Sequence, residues 1–360
     1  MIRSLTLVPG MIGAALLLAS GSLSAIAASG RVVQTESPCM GVSAEPGREQ
    51  RAVTELRALL QEGGETCINL SGRFPLAAPL VITAAASGLK IRSPQAAPAT
   101  LVAVDGGARG IEVIAASNVT IEGLELIGFA HDGIFASNSR NLTIRSVTVN
   151  ETKSTAWSQG SIHLTGTSTG ALIEANTVDG ADYAGIIIDT EAGSDVSNTL
   201  IRNNRVTRSC RRVHDCGAIY VNDRGRRSGN ILISDNVVTD FGPFAVGGRG
   251  IYLDDWASHV TVRRNRIIGP GRFAFQIHGG HHNRIAGNHI DMAAIETPLL
   301  YQAAVDGSRE VMPGNVLEGN VFHVGAGGRV ALSPVTRTGA GAIRLRRNRQ
   351  CIAGRCKIVR

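Results

Sequence analysis

The chain has 360 residues and a formal net charge of +7, with 43% apolar and 18% charged residues, a balance that excludes a disordered polymer. Arginine supplies nearly all the positive charge, since the lysines are only Lys90, Lys153 and Lys357, and such a surface attracts acidic polymers. No basic, aromatic-bearing helix is present, which argues against nucleic acid as a partner. Gly247-Gly248-Arg249-Gly250 opens a strand, not the helix that a dinucleotide fingerprint requires.

In chain order, residues 1–27 read as an export signal. Arg3 precedes an apolar run from Leu5 to Ala19, and Ala25-Ile26-Ala27 gives the small-x-small pattern before a cleavage point. The apolar run is interrupted by Pro9 and Gly10, so no retained membrane span is expected. The mature chain is therefore expected in the periplasm or outside the cell. Six cysteines fall into three local groups, Cys39 with Cys67, Cys210 with Cys216, and Cys351 with Cys356. In an oxidising compartment this clustering favours three short-range disulfides among the fifteen formal connectivities. Zinc at Cys351 and Cys356 is disfavoured, because no histidine lies nearby.

Residues 28–76 form an N-terminal segment with a capping helix. Over 49–61, Val53, Leu56, Leu59 and Leu60 sit at helical spacing, and Gly63-Gly64 follows. From 77 to 330 a repeat takes over. Short phrases such as Asn118-Val-Thr-Ile121, Asn141-Leu-Thr-Ile144 and Asn230-Ile-Leu-Ile233 return in register, at Ile121, Ile144, Ile173, Ile201, Ile233, Val262, Ile285 and Leu317. Steps of 23 to 32 residues are one coil of a solenoid with variable loops. Three residues further on stand Asn176, Asn204, Asn236, Asn265, Asn288 and Asn320. Stacked coils place identical side chains about 4.8 Å apart, so these asparagines are expected to form a structural ladder. Residues 331–360 read as a basic tail with a small disulfide loop.

The predicted fold is all-β, a single right-handed parallel β-helix with an N-terminal amphipathic helix cap. The cap, the ladder and the isoleucine-rich rungs resemble the pectin-lyase-like β-helix superfamily over roughly residues 45–330. That resemblance implies the fold, while the superfamily spans lyases, hydrolases, epimerases and non-catalytic adhesins.

Six further strands precede the register phrases, and alternation assigns their faces. Ala136, Leu164, Ile188, Val221, Leu253 and Ile277 are aliphatic and point inward. One outward column runs Phe135, His163, Ile187, Tyr220, Tyr252, Gln276, and the next runs Ser137, Thr165, Asp189, Asn222, Asp254, His278. Stacking puts Asp254 and His278 roughly 5 Å apart and Asp189 and Asp254 roughly 9–10 Å apart between backbones. An inverting glycosidase needs carboxyls separated by about 6.5–9.5 Å. Asp223 and Asp255, the next residues on adjacent rungs, offer a closer pair whose mutual repulsion raises one pKa.

The catalytic candidates are thus Asp254, Asp255, Asp223, Asp189 and His278. Asn222-Asp223, Asp254-Asp255 and His278-Gly279 on successive rungs also resemble polygalacturonase-type hydrolases, which implies Asp254 or Asp255 as general acid and Asp223 as a water-activating partner. Those hydrolases carry Asn-x-Asp, Asp-Asp, Gly-His-Gly and Arg-x-Lys on consecutive strands. Here the residue between Asn222 and Asp223 is missing, Ile277 replaces the first glycine, and no Arg-x-Lys follows near Tyr301, so another β-helix hydrolase family is expected. Tyr220, Tyr252 and Trp256 supply aromatic faces for sugar rings, with Asn222, Gln276 and His163 beside them. Arg211 and Arg212, in the loop from Cys210 to Cys216, are expected to wall the cleft and meet an acidic sugar.

The expectation is no cofactor and no metal. Calcium held by Asp223, Asp254 and Asp255 is the minor alternative. A metal on His281-His282 is disfavoured, because adjacent histidines cannot share a strand face. The residues point first to a glycoside hydrolase acting on a polysaccharide. The alternatives are a lyase or epimerase on a uronate polymer, with His278 or Tyr252 as base, and a non-catalytic glycan-binding coil.

Overall fold

The computed structural model describes residues 39–359, apart from 65, 95, 228, 244, 293–298, 303, 306–307, 310 and 326–342. The expected export signal and much of the C-terminal tail lie outside these residues.

Strands of mostly three to seven residues wind into a parallel β-helix. A nine-stranded sheet carries Leu80–Ile82, Arg109–Ile114, Asp132–Ser137, Gly160–Thr165, Ala184–Thr190, Gly217–Asp223, Arg249–Asp254, Phe273–His278 and Leu299–Gln302, stacked in chain order. The remaining coil strands, among them Thr120–Glu122 and Glu125–Ile127, close the other faces. All eight register positions pair directly in the predicted order, from Ile121 with Ile144 to Ile285 with Leu317. The column extends further, to Ile91 before and Leu345 after.

The inward residues are sealed, with Leu164, Ile188, Val221 and Ile277 at 0% exposure. Each fully buried aliphatic side chain contributes about 1.5–3 kcal/mol over leaving it in water. The ladder is built as predicted and gains one rung at Asn348. Asn236 Nδ2, for example, donates to Asn265 Oδ1 at 2.9 Å and to the Ile201 carbonyl at 2.9 Å, and Asn320 Nδ2 donates to Asn348 Oδ1.

A second column lies at the turn three residues before each register position. There Gly88, Asn118, Asn141, Gly170, Asn198, Asn230, His259, His282 and Gly314 all have φ between 53° and 86°. Glycine carries no steric penalty in this left-handed region, and asparagine tolerates it.

The predicted cap helix spans Glu49–Glu62 and buries Ala52, Val53, Leu56 and Leu60, while Leu59 is only partly buried. All three local disulfides are present: Cys39–Cys67, Cys210–Cys216 and Cys351–Cys356. The coil is longer than the repeat indicates. Parallel pairing already joins Met40–Ala44 to Cys67–Leu76, and Asn348–Ile352 still stacks on Val321–Val324. Arg355–Val359 then folds back antiparallel on Asn348–Ile352, which covers an edge that would otherwise invite pairing with another chain.

Candidate active site

The column beginning at Phe135 points out of the coil, yet most of it is covered. His163, Ile187, Tyr220, Tyr252 and Gln276 are all buried. Tyr183, Cys210, Cys216, Ile187, Tyr220 and Tyr252 form a second apolar cluster, separate from the coil interior, with Val213 packed against it. The disulfide loop therefore roofs part of the sheet. Tyr220 and Tyr252 stack on each other, ring centroids 4.8 Å apart and 4° from parallel, so their faces are not free to receive a sugar.

Beside this roof lies a cleft of about 380 Å³. Asp189, Asn222 and Asp254 line it in the predicted column, Asp189 paired with Asn222 and Asn222 with Asp254. Asp255 and His278 complete the floor. Asp254 is held from two sides: Tyr220 Oη donates to its Oδ2, and its Oδ1 lies 2.7 Å from His278 Nδ1. Burial and the Asp254 charge push the Tyr220 hydroxyl well above the usual phenol range, so it remains a neutral donor.

Asp255 follows at the strand end, where it and Trp256 have φ of 38° and 68°. Two consecutive left-handed residues without glycine mark stored strain at a site. The Asp255 carboxyl accepts from Arg224 Nε at 2.7 Å. Burial, and secondarily the neighbouring Asp254, still raise it above the ordinary carboxylate range, against the pull of Arg224 and His278. Two adjacent carboxyls thus sit in different environments, a pattern that separates acid from base roles.

Several expected residues stand elsewhere. Asp223 is buried, accepts from Thr190 Oγ1 at 2.9 Å and is not among the residues lining the cleft. Its side chain turns toward the preceding rung because Thr190, its in-register neighbour, supplies a donor there. Trp256 lies under the Arg226 guanidinium, 3.9 Å from ring centroid to Cζ. Gln276 donates to Tyr252 Oη at 3.1 Å and accepts from Arg249. His163 pairs with Asp132 at 3.1 Å, three rungs before Asp254 on the same sheet. Arg211 bonds Glu151 and Asp182, and Arg212 reaches Asp182 at 3.5 Å. The loop's contribution to the cleft is acidic, through Asp215, and not basic.

Sequence reading alone did not select Trp157, Glu191, Asp215, Tyr183 or Arg224, which also line the cleft. Most sit in loops or just past strand ends, where no periodicity marks them. Trp157 is 61% exposed at the cleft and packs its ring edge against His214, centroids 5.8 Å apart. Its signal was compositional, as one of only two tryptophans in the chain.

For a cation, Asp254, Asp255 and His278 bring ligand atoms within 4.8 Å of one another. Asp223, the third carboxylate expected for calcium, is not part of that group. Among the described residues no helix is long and apolar enough to cross a membrane.

The chain belongs to the right-handed β-helix family: the family described as "Right handed beta helix region" matches residues 102–206 and 162–340. No curated protein matches it. Among solved structures it is similar to the catalytic domain of a GH87 alpha-1,3-glucanase in complex with tetrasaccharides, with 16% identity and a TM-score of 0.60. That match covers 89% of this chain and 67% of the glucanase domain. An alginate lyase from Paenibacillus sp. str. FPU-7 matches at 15% identity and TM-score 0.59, over 84% of this chain and 99% of the lyase. PfbA, a surface adhesin of Streptococcus pneumoniae, matches at 11% identity and TM-score 0.64, over 88% and 89%. These likenesses show the shared coil.

Proposed function

We propose that the protein is an exported glycoside hydrolase that cleaves a neutral polysaccharide in the cleft over Asp189, Asp254 and Asp255. The observation that carries this reading is the pair of adjacent carboxyls in opposite settings. Asp255 is raised and suited to hold a proton, while Asp254 accepts a hydrogen bond from Tyr220 Oη and lies 2.7 Å from His278 Nδ1. Asp189 lines the same cleft two rungs before the strand that ends at Asp254, roughly 9–10 Å from Asp254 between backbones, and an inverting mechanism requires its carboxyl and that of the acid to stand about 6.5–9.5 Å apart.

In this mechanism Asp255 gives its proton to the glycosidic oxygen as the bond to the anomeric carbon breaks. Asp189 removes a proton from the water that forms the new bond, and the product has inverted configuration. The Asp254 carboxylate faces the positive charge that develops on the sugar ring and keeps Asp255 protonated. Exchange with solvent returns the Asp189 proton and recharges Asp255.

The charge of the cleft supports a neutral substrate. Asp189, Glu191, Asp215, Asp254 and Asp255 line it with Arg224 and His278 as its basic residues; Arg224 is engaged by Asp255 and Asp215 is paired with Arg249. A uronate polymer would meet repulsion from these carboxyls. Tyr252, the alternative base, is buried and shifted well above the phenol range. The likeness to the glucanase adds support, since its solved forms with oligosaccharides include Asp→Ala variants at two adjacent positions. Three disulfides suit an oxidising compartment.

The test is incubation with a panel of neutral and acidic glycans, scored for new reducing ends. The proposal expects release from a neutral glycan and its loss in Asp255→Asn. Release from uronate polymers alone would refute it.

A further inference from the structure

The turn column described above changes character near the end of the coil. Seven of its nine members are glycine or asparagine, as left-handed backbone favours. Only His259 and His282 depart, and they occupy consecutive coils. In earlier coils the asparagines link along the stack, Asn141 Nδ2 to Asn118 Oδ1 at 3.0 Å and Asn230 Nδ2 to Asn198 Oδ1 at 3.2 Å. At His259 and His282 two imidazoles stack instead, centroids 5.2 Å apart and 5° from parallel.

A third imidazole joins them. His281 stands edge-on to both rings, at 5.2 Å and 5.1 Å, with its Nδ1 3.0 Å from His282 Nδ1. Its backbone N–H donates to Ser258 Oγ at 3.0 Å, which anchors the turn. The His282 ring is seated over the next turn, at Gly314, where any Cβ would come within 2.5 Å of His282 Cδ2. One ligand nitrogen from each of the three rings lies within 4.8 Å of the other two.

We propose that His259, His281 and His282 bind one divalent transition metal ion, Zn²⁺ or Cu²⁺, across two coils. Tetrahedral bonds of about 2.0–2.1 Å place ligand nitrogens about 3.3 Å apart, so the Nδ1 atoms of His281 and His282 need little adjustment. Half-exposed to exposed side chains leave the rings room to turn toward a common centre, with water completing the shell. Three imidazoles without a carboxylate select Zn²⁺, Cu²⁺ or Ni²⁺ over Ca²⁺ and Mg²⁺. The adjacency of His281 and His282, unusable on a strand, is usable here because both lie in a turn. The bound ion fastens neighbouring coils and is separate from the cleft carboxylates.

The test uses the full, untagged chain, with equilibrium dialysis against Zn²⁺ and Cu²⁺ and a parallel thermal melt. His259→Asn and His282→Asn each restore the residue other coils carry at this turn, so folding is preserved. Wild type is expected to bind one ion and to gain a few degrees in Tm at saturating metal. Each variant should weaken binding by roughly tenfold or more, and the double variant should lose both binding and the Tm gain. His323→Asn, on another face, should leave them unchanged. No binding at millimolar Zn²⁺, or binding that persists undiminished in the double variant, would overturn the proposal.

Discussion

Asp254 and His278, on neighbouring rungs of one sheet, meet through Oδ1 and Nδ1 at 2.7 Å. The second Asp254 oxygen accepts from Tyr220, whose ring is clamped between Tyr183 and Tyr252. Asp254 therefore cannot turn without breaking contacts to two elements. Tyr220→Phe removes one of them while keeping the packing. It should lower kcat about tenfold or more with KM little changed, and cost about 1–2 kcal/mol of stability. Steady-state kinetics beside a denaturant titration separates the two effects.

Arg224 tunes Asp255. The guanidinium lowers a carboxyl that burial and Asp254 raise. A general acid with a raised pKa keeps activity on the acid side and loses it as pH rises through that pKa. Arg224→Gln takes away the lowering influence, so the alkaline limb of kcat/KM should move to higher pH. An unchanged or lower limb would remove Asp255 from the role of acid. The same shift has a sign for stability. Because the folded pKa lies above the unfolded value, Asp255 favours the fold at low pH and loses that contribution as pH rises through the folded pKa.

The loop closed by Cys210–Cys216 positions Asp215 and covers Tyr220 and Tyr252. Its two cysteines are only six residues apart, so chain entropy limits the bond's contribution to about 2 kcal/mol. A Cys210→Ser, Cys216→Ser double variant should fold, lose about that much stability, and show a raised KM because the roof loosens. Trp157→Ala, at an exposed ring on the cleft, should likewise raise KM several-fold with kcat nearly intact.

The ladder asks for a larger penalty. Asn236 is fully buried, accepts from the Asn204 N–H and donates to Asn265 and to the Ile201 carbonyl. Asn236→Ala strands several buried polar groups at about 1–3 kcal/mol each. Unfolding free energy should fall by more than about 3 kcal/mol, measurable as a lower denaturant midpoint.

The coil was legible in the sequence because stacking repeats one side chain at one place. Ile121 through Leu317 and Asn176 through Asn320 announce their register without any knowledge of the loops. The strand column Asp189, Asn222, Asp254 was legible for the same reason, through period-two alternation. Beyond the strand ends the pattern stops. Asp223 and Asp255 hold matching sequence positions, yet Thr190 captures one and Arg224 the other. Arg211 and Arg212 looked suited to an acidic ligand, but Glu151 and Asp182 sit within their reach across the coil. Loop partners of this kind are set by tertiary distance, which composition and spacing do not encode. The burial of Tyr220 and Tyr252 follows from that same loop.

The most direct test of the cleft as a hydrolytic site is product analysis on a cleaved neutral glycan with wild type, Asp254→Asn and Asp255→Asn. Saturated products with new reducing ends of inverted configuration are expected from wild type, with at least a hundredfold loss in each variant. Unsaturated, ultraviolet-absorbing ends, or full activity in both variants, would contradict the account.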